Sequence, residues 1–154
     1  HKPLNGSLSL LLPELPERLR QLLEARAAIE PEMARLAAQR AKATDIRRLG
    51  EIHACMANAT NDTEAVEADI DFHRALAGIA DNEIFKIMLE SLADLGRESR
   101  RVTIGNVGRQ RAIDHHAAIL AAVASHDPDA AARAMKHHMD EAVRDLAAKT
   151  KLKR

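Results

Sequence analysis

Apolar residues recur along this chain with helical spacing, and no stretch shows the strict alternation of a β-strand. From about Glu14, a stripe of Leu15, Leu19, Leu22, Ile29, Met33 and Leu36 marks one long helix face, interrupted by Arg26. Pro31 lies within it and predicts a kink or split after Glu30, because proline lacks a backbone N–H and its ring crowds the preceding turn. A second helix, capped by Thr44 or Asp45, carries Ile46, Leu49, Ile52 and Met56. The third starts near Asp62 or Thr63 and reaches about Ala80. Asp81-Asn82 breaks the chain before a fourth helix over about 83–103. Gly105 and Gly108 bracket a loop, a fifth helix runs from about Arg109 to Ser125, and His126-Asp127-Pro128 stops it. The sixth begins with Pro128 in its first turn and ends among Lys149, Lys151, Lys153 and Arg154, whose charge complements the helix dipole. The pattern predicts an all-α fold, an antiparallel bundle of about six to seven helices. Residues 1–13 are turn-rich and aperiodic, and read as a linker or tag-derived arm ahead of one domain over 14–150.

Composition narrows the functions available. Lys+Arg and Asp+Glu are both 23, so no cationic excess points to nucleic acid as the chain's own partner. With no tryptophan or tyrosine and only two phenylalanines, the core must be built from Leu, Ile, Val, Met and Ala. The same scarcity argues against a flat aromatic ligand held between rings. Cys55 is the only cysteine, which excludes an internal disulfide and fits a reducing compartment; it reads as a small buried apolar residue. No apolar run nears the roughly 20 residues that cross a bilayer, so a cytoplasmic protein without a membrane partner is expected.

Four polar residues stand where the helical pattern calls for core. Asp69 lies between Val66 and Phe72, and His73 between Ile70 and Leu76. His116 has Ile113 before it and Ile119 and Leu120 after it; His138 shares a face with Ala131, Met135, Ala142 and Leu146. Asp69 and His73 are one turn apart on one face, so both can ligate a single ion. Asp71 and His137, by contrast, share their faces with charged residues and read as solvated. His53, His115 and His126 sit in no comparably apolar stripe. Spacing and inward facing alone leave two readings level: satisfied core histidines in a polar network, or a divalent metal site with open coordination positions. A HExxH zinc site is excluded, since Leu120 stands four residues after His116. A di-iron bundle is excluded too, because Ile70, Ile113 and Met135 occupy the positions where Glu-x-x-His would need its acids.

The segments that carry these residues have a further likeness. DIDFHRALAGIADN resembles the D-x-x-F-H-x-x-L-x-x-A-x-x-N segment of the FCD domain, the C-terminal effector domain of FadR-type GntR transcription regulators. HHAAILAAVASHDPDAAARAMKHHM resembles that family's H-x-A-I-L-x-A-I-x-x-G-D-x-x-A-A-x-x-A-M-x-x-H, and LLEARAAIEPEMARLAAQRA its opening helix. The likeness spans about residues 17–148 in order and with matching spacing. It implies that Asp69, His73, His116 and His138 are the ligands of a metal ion, and three imidazoles make zinc or nickel the expected one. It also implies a homodimer that senses a small carboxylate effector, an organic acid, sugar acid or amino acid. DNA contact is expected only through a winged helix-turn-helix domain that is absent from this chain. Asp81 departs from the family's usual glycine before Asn82.

Arg26 is the leading candidate to meet an effector carboxylate, since its planar fork can hold both oxygens; an ion pair with Glu30, one turn on, is the competing role. Arg97, Arg100 and Arg101 read mainly as a solvated face, with Arg101 kept as a second candidate effector contact. The expected function is metal-dependent effector sensing for a transcription regulator, without catalysis. The alternative is a small hydrolase-like metalloenzyme using the same four ligands, for which no separate general base is visible.

Overall fold

In the computed structural model, which describes residues 14–105 and 108–151, the domain is an all-α bundle of seven described helices. They are α1 (Leu15–Arg40), α2 (Ala43–Ala57), α3 (Asp62–Ala80), α4 (Glu83–Ser91), α5 (Ala93–Thr103), α6 (Gly108–Ala124) and α7 (Pro128–Lys151). The arm expected over residues 1–13 and the last basic residues, 152–154, lie outside the described residues. The long α1 packs most extensively on α7 and also on α3; α2 pairs with α3, and α6 with α7. Short connections force those paired neighbours to run back on each other. One core cluster, including Leu23, Met33, Leu76, Ile119 and Met135, sits between α1, α3, α6 and α7. A smaller one, with Met56, Val66, Ile70 and Ile104, closes one side of α3. Each fully buried Leu, Ile or Met contributes about 1.5–3 kcal/mol.

Side chains set the breaks. Asn61 caps α3 by accepting from Glu64 N at 2.9 Å, while Glu64 Oε2 accepts from Thr60 N at 2.8 Å. Asp81 closes α3 in the left-handed region, φ 53°, the conformation that glycine adopts most easily. Asn82 then caps α4 through Ile84 N and Phe85 N. His126, φ 52°, makes the equivalent turn before α7, and Asp127 Oδ1 accepts from Ala130 N at 3.0 Å. Gly108 starts α6 under the Thr103 carbonyl: a Cβ there would lie 1.8 Å from that oxygen, so only glycine fits.

Four local expectations are corrected. Helix α1 is not split at Pro31, because Leu22 and Leu23 before it and Met33, Ala34 and Ala37 after it are buried together and outweigh the lost hydrogen bond. Neither Thr44 nor Asp45 is the first-residue cap of α2; Asp45 reaches back to accept from Lys42 N at 2.9 Å. The expected single helix over 83–103 is two helices, divided at Leu92, where the Ser91 hydroxyl bonds the Met88 carbonyl and the Leu92 N–H turns back only three residues to Leu89. Cys55 is exposed, since α2 buries Leu49 and Met56 and Cys55 points about a quarter-turn away from Met56.

Candidate metal centre

Three helices deliver the four residues to one point. Asp69 and His73 come from successive turns of α3, His116 from α6 and His138 from α7, and all four are buried. One donor atom from each lies within 4.8 Å of the others. Asp69 Oδ1 is 3.3 Å from His73 Nε2 and 3.2 Å from His116 Nε2, and the two Nε2 atoms of His116 and His138 are 3.3 Å apart. Donors bound to one tetrahedral zinc at about 2.0–2.1 Å stand about 3.3 Å from each other. Asp69 Oδ1 and His73 Nε2 are buried without a hydrogen bond, which is costly for a carboxylate oxygen and an imidazole nitrogen alike. The donor set, the spacing and the two orphaned atoms fit a divalent cation at their centre.

A second ring orients these ligands. Glu30, fully buried on α1, accepts from His73 Nδ1 at 2.9 Å and from Arg26 Nε at 2.8 Å. That leaves His73 Nε2 free to face Asp69, the carboxylate–histidine arrangement that fixes a ligand's tautomer. Arg100 Nε donates to Asp69 Oδ2 at 3.1 Å and its Nη1 to the Gly96 carbonyl at 3.2 Å. A side chain at Gly96 would meet Arg100 Nη1 at 2.9 Å, so the glycine makes room for the inward guanidinium. His138 Nδ1 faces His115 Nδ1 at 3.2 Å, and the His116 ring stacks on Phe72 with centroids 4.1 Å apart.

Burial penalises every charged form here, and neighbours decide which way each group moves. Burial would raise the Asp69 pKa, but Arg100, His116 and His73 overcome it and hold the carboxyl well below its usual range. Glu30 is held low in the same way, by Arg26 and His73 against its burial. Burial pushes His116 down to about 4 despite Asp69. His138 also falls well below the ordinary histidine value, from burial reinforced by His116 and His73. Both are thus kept neutral, the form that ligates. For His73 burial is outweighed by Glu30 and Asp69, and its pKa rises.

A narrow cleft opens beside the centre and is lined in part by Asp69, His138, Arg26, Arg100 and Thr103. Of the two arginines singled out in the sequence, Arg26 is buried in this wall, where it holds the expected pair with Glu30. Arg101 is exposed and paired with Glu98; its neighbour Arg100 is the one that turns inward. His53 and His126 donate to the carbonyls of Ile113 and Ala38, and His137 is exposed. Sequence reasoning missed Glu30 as a partner of His73, and missed Arg100. The buried phase of Glu30, four residues after Arg26, was the available signal for the first.

Residues 21–141 match the FCD domain family. The chain belongs to that family. This FCD domain is 32% identical over 139 residues to the HTH-type transcriptional regulator LutR of Bacillus subtilis, covering 86% of this chain and 64% of LutR. It is 30% identical over 125 residues to the HTH-type transcriptional repressor NanR of Edwardsiella tarda, covering 76% of this chain and 46% of that repressor. The chain thus spans less than two thirds of the length of these relatives. A Streptococcus agalactiae GntR structure superposes with a TM-score of 0.75 at 23% identity, covering 89% of this chain and 64% of that one, and supports the fold. The FCD domain is a regulatory effector domain and not an enzyme, so the metalloenzyme alternative is set aside.

Proposed function

We propose that this FCD domain is the metal-dependent, carboxylate-sensing half of a helix-turn-helix transcription regulator. Charge at the centre carries the proposal. Arg26 and Arg100 are buried cations, Glu30 and Asp69 are buried anions, and the four cancel. A divalent ion held by Asp69, His73, His116 and His138 would add two uncompensated positive charges in a poorly solvated place. A small carboxylate entering the adjacent cleft offsets them, with an oxygen completing the ion's shell and the guanidinium groups of Arg26 and Arg100 at hand. Zinc and nickel suit three imidazoles and one carboxylate.

In the same proposal the domain acts as a homodimer in the cytoplasm and reaches DNA through an attached winged helix-turn-helix. Exposed Ile84 and Ile87 on α4 offer apolar surface for self-association, and no described helix is long and apolar enough to cross a membrane. The LutR and NanR names support the DNA-directed role. Elemental analysis of the purified chain should find about one divalent ion per chain. Chelation should lower the melting temperature, since an ion bound only by the folded state stabilises it by about 4 kcal/mol at a thousandfold excess over Kd. Organic, sugar and amino acids should then raise the melting temperature of metal-loaded but not metal-stripped protein. A metal-free chain indifferent to chelator and to added zinc would refute the proposal.

A further inference from the structure

Each histidine of the centre has one ring nitrogen to spare, and the three spare nitrogens meet different surroundings. Distances set which atoms face the ion. His73 Nε2 and His116 Nε2 stand 3.3 and 3.2 Å from Asp69 Oδ1, and His138 Nε2 stands 3.3 Å from His116 Nε2. The spare atom is therefore Nδ1 in all three. A neutral imidazole that gives its Nε2 lone pair to a metal carries its proton on Nδ1, and there it needs an acceptor. His73 has the carboxylate of Glu30 at 2.9 Å. His116 has no such partner among the described residues, and its ring is held by the stack on Phe72. His138 has the Nδ1 of His115 at 3.2 Å, and no other partner for that atom among the described residues.

Two imidazoles that meet Nδ1 to Nδ1 can share only one proton. With His138 committed to the ion through Nε2, that proton belongs to His138. His115 must then accept it with a bare Nδ1 and keep its own proton on Nε2. Packing sets up the pair: α6 and α7 run back on each other across the turn at 125–127, which brings His115 beside His138 although the two are 23 positions apart. His115 is half-buried, and the exposed His137 ring packs edge-on against it with centroids 4.9 Å apart, so neighbours on α7 confine its ring. The acceptor is also uncharged. Asp69 and Glu30 already match Arg26 and Arg100 at the centre, and an imidazole adds no third anion beside them.

We propose that His115 is a positioning residue of the metal centre: its Nδ1 accepts the Nδ1 proton of His138 and holds His138 in the tautomer that turns an Nε2 lone pair to the ion. The inference rests on the metal dependence proposed above and adds to the centre a residue that does not touch the ion. His115 precedes the His116 that opens the family-like segment and lies outside its pattern, so the role belongs to this chain's own sequence.

Zinc titration of the whole chain and of its His115→Asn and His115→Leu variants tests this. Asparagine sets Oδ1 where histidine has Nδ1 and can still accept, whereas leucine has the same branched shape and cannot. His115→Leu should lose about 10–100-fold in zinc affinity, as when the partner of a ligating histidine is removed, while His115→Asn should stay within about threefold of the parent. Circular dichroism checks that both variants fold. Nitrogen NMR of the zinc-loaded parent with labelled histidines needs no variant, and should place the proton on Nδ1 of His138 and on Nε2 of His115. Equal losses in the two variants would overturn the hydrogen bond and leave His115 as packing alone. Unchanged affinity in His115→Leu would overturn the role outright, as would a proton on His115 Nδ1 in the zinc-loaded parent. A parent chain that binds no zinc would instead refute the metal dependence itself, and the inference with it.

Discussion

Glu30→Gln probes the centre from its second ring. The substitution keeps the size of the side chain and removes its charge. Glu30 is 0% exposed and holds Arg26 Nε at 2.8 Å and His73 Nδ1 at 2.9 Å. In the variant the guanidinium of Arg26, 7% exposed, loses its buried counter-charge. Breaking one partner of a buried pair costs about 3–5 kcal/mol. The amide oxygen can still accept from His73, so the expected loss is near the lower end, about 3 kcal/mol, out of a total stability of roughly 5–15 kcal/mol. The depressed pKa of Glu30 fixes the sign of the pH effect. Its contribution is present above the unfolded value near 4.3 and fades as pH falls towards the folded one, so the variant's deficit should be largest at neutral pH. Zinc affinity should fall about 10–100-fold, because the group orienting a ligating histidine has been weakened. Urea denaturation with chelator present measures the first effect and zinc titration the second. A variant within about 0.5 kcal/mol of the parent, with zinc affinity within about twofold, would show that Glu30 neither balances Arg26 nor orients His73.

The exposed His137 and the buried His138 are adjacent, so zinc titration should find tight binding lost in His138→Ala and in His116→Ala but kept in His137→Ala; equal losses at 137 and 138 would contradict the site. In metal-free protein, His116, lowered to about 4, and His138, lowered well below its ordinary value, protonate in the unfolded chain first. Stability should therefore fall as pH drops from about 6.5 towards about 4, by roughly 3 kcal/mol for His116 alone, partly offset by His73, whose raised pKa acts in the opposite sense. Urea midpoints that stay level from pH 7 to pH 5 would contradict the burial of neutral imidazoles. Gly108→Ala should cost about 3 kcal/mol or more in thermal or chemical unfolding, since its Cβ would stand 1.8 Å from the Thr103 oxygen; a neutral result would mean that Gly108 does not sit against the Thr103 carbonyl.

Some of this molecule follows from sequence alone because the physics is local. Apolar spacing of three and four residues fixes helix faces, and Asp69 and His73, one turn apart among Val66, Ile70, Phe72 and Leu76, must then point inward together. The same reasoning turns His116 and His138 inward and leaves His137 outside, and short polar turns place most helix ends. Tertiary packing decided the rest. Pro31 signals a break locally, but burial on both sides of it keeps α1 whole. The interruption at Leu92 resets the helical phase, so faces extrapolated from α4 do not carry into α5, and Arg100 rather than Arg101 turns to Asp69. Glu30 and His73 are 43 positions apart, and no local pattern joins them. Only the packing of α1 on α3 brings that carboxylate to that imidazole, because a buried charge takes whichever partner the fold sets beside it.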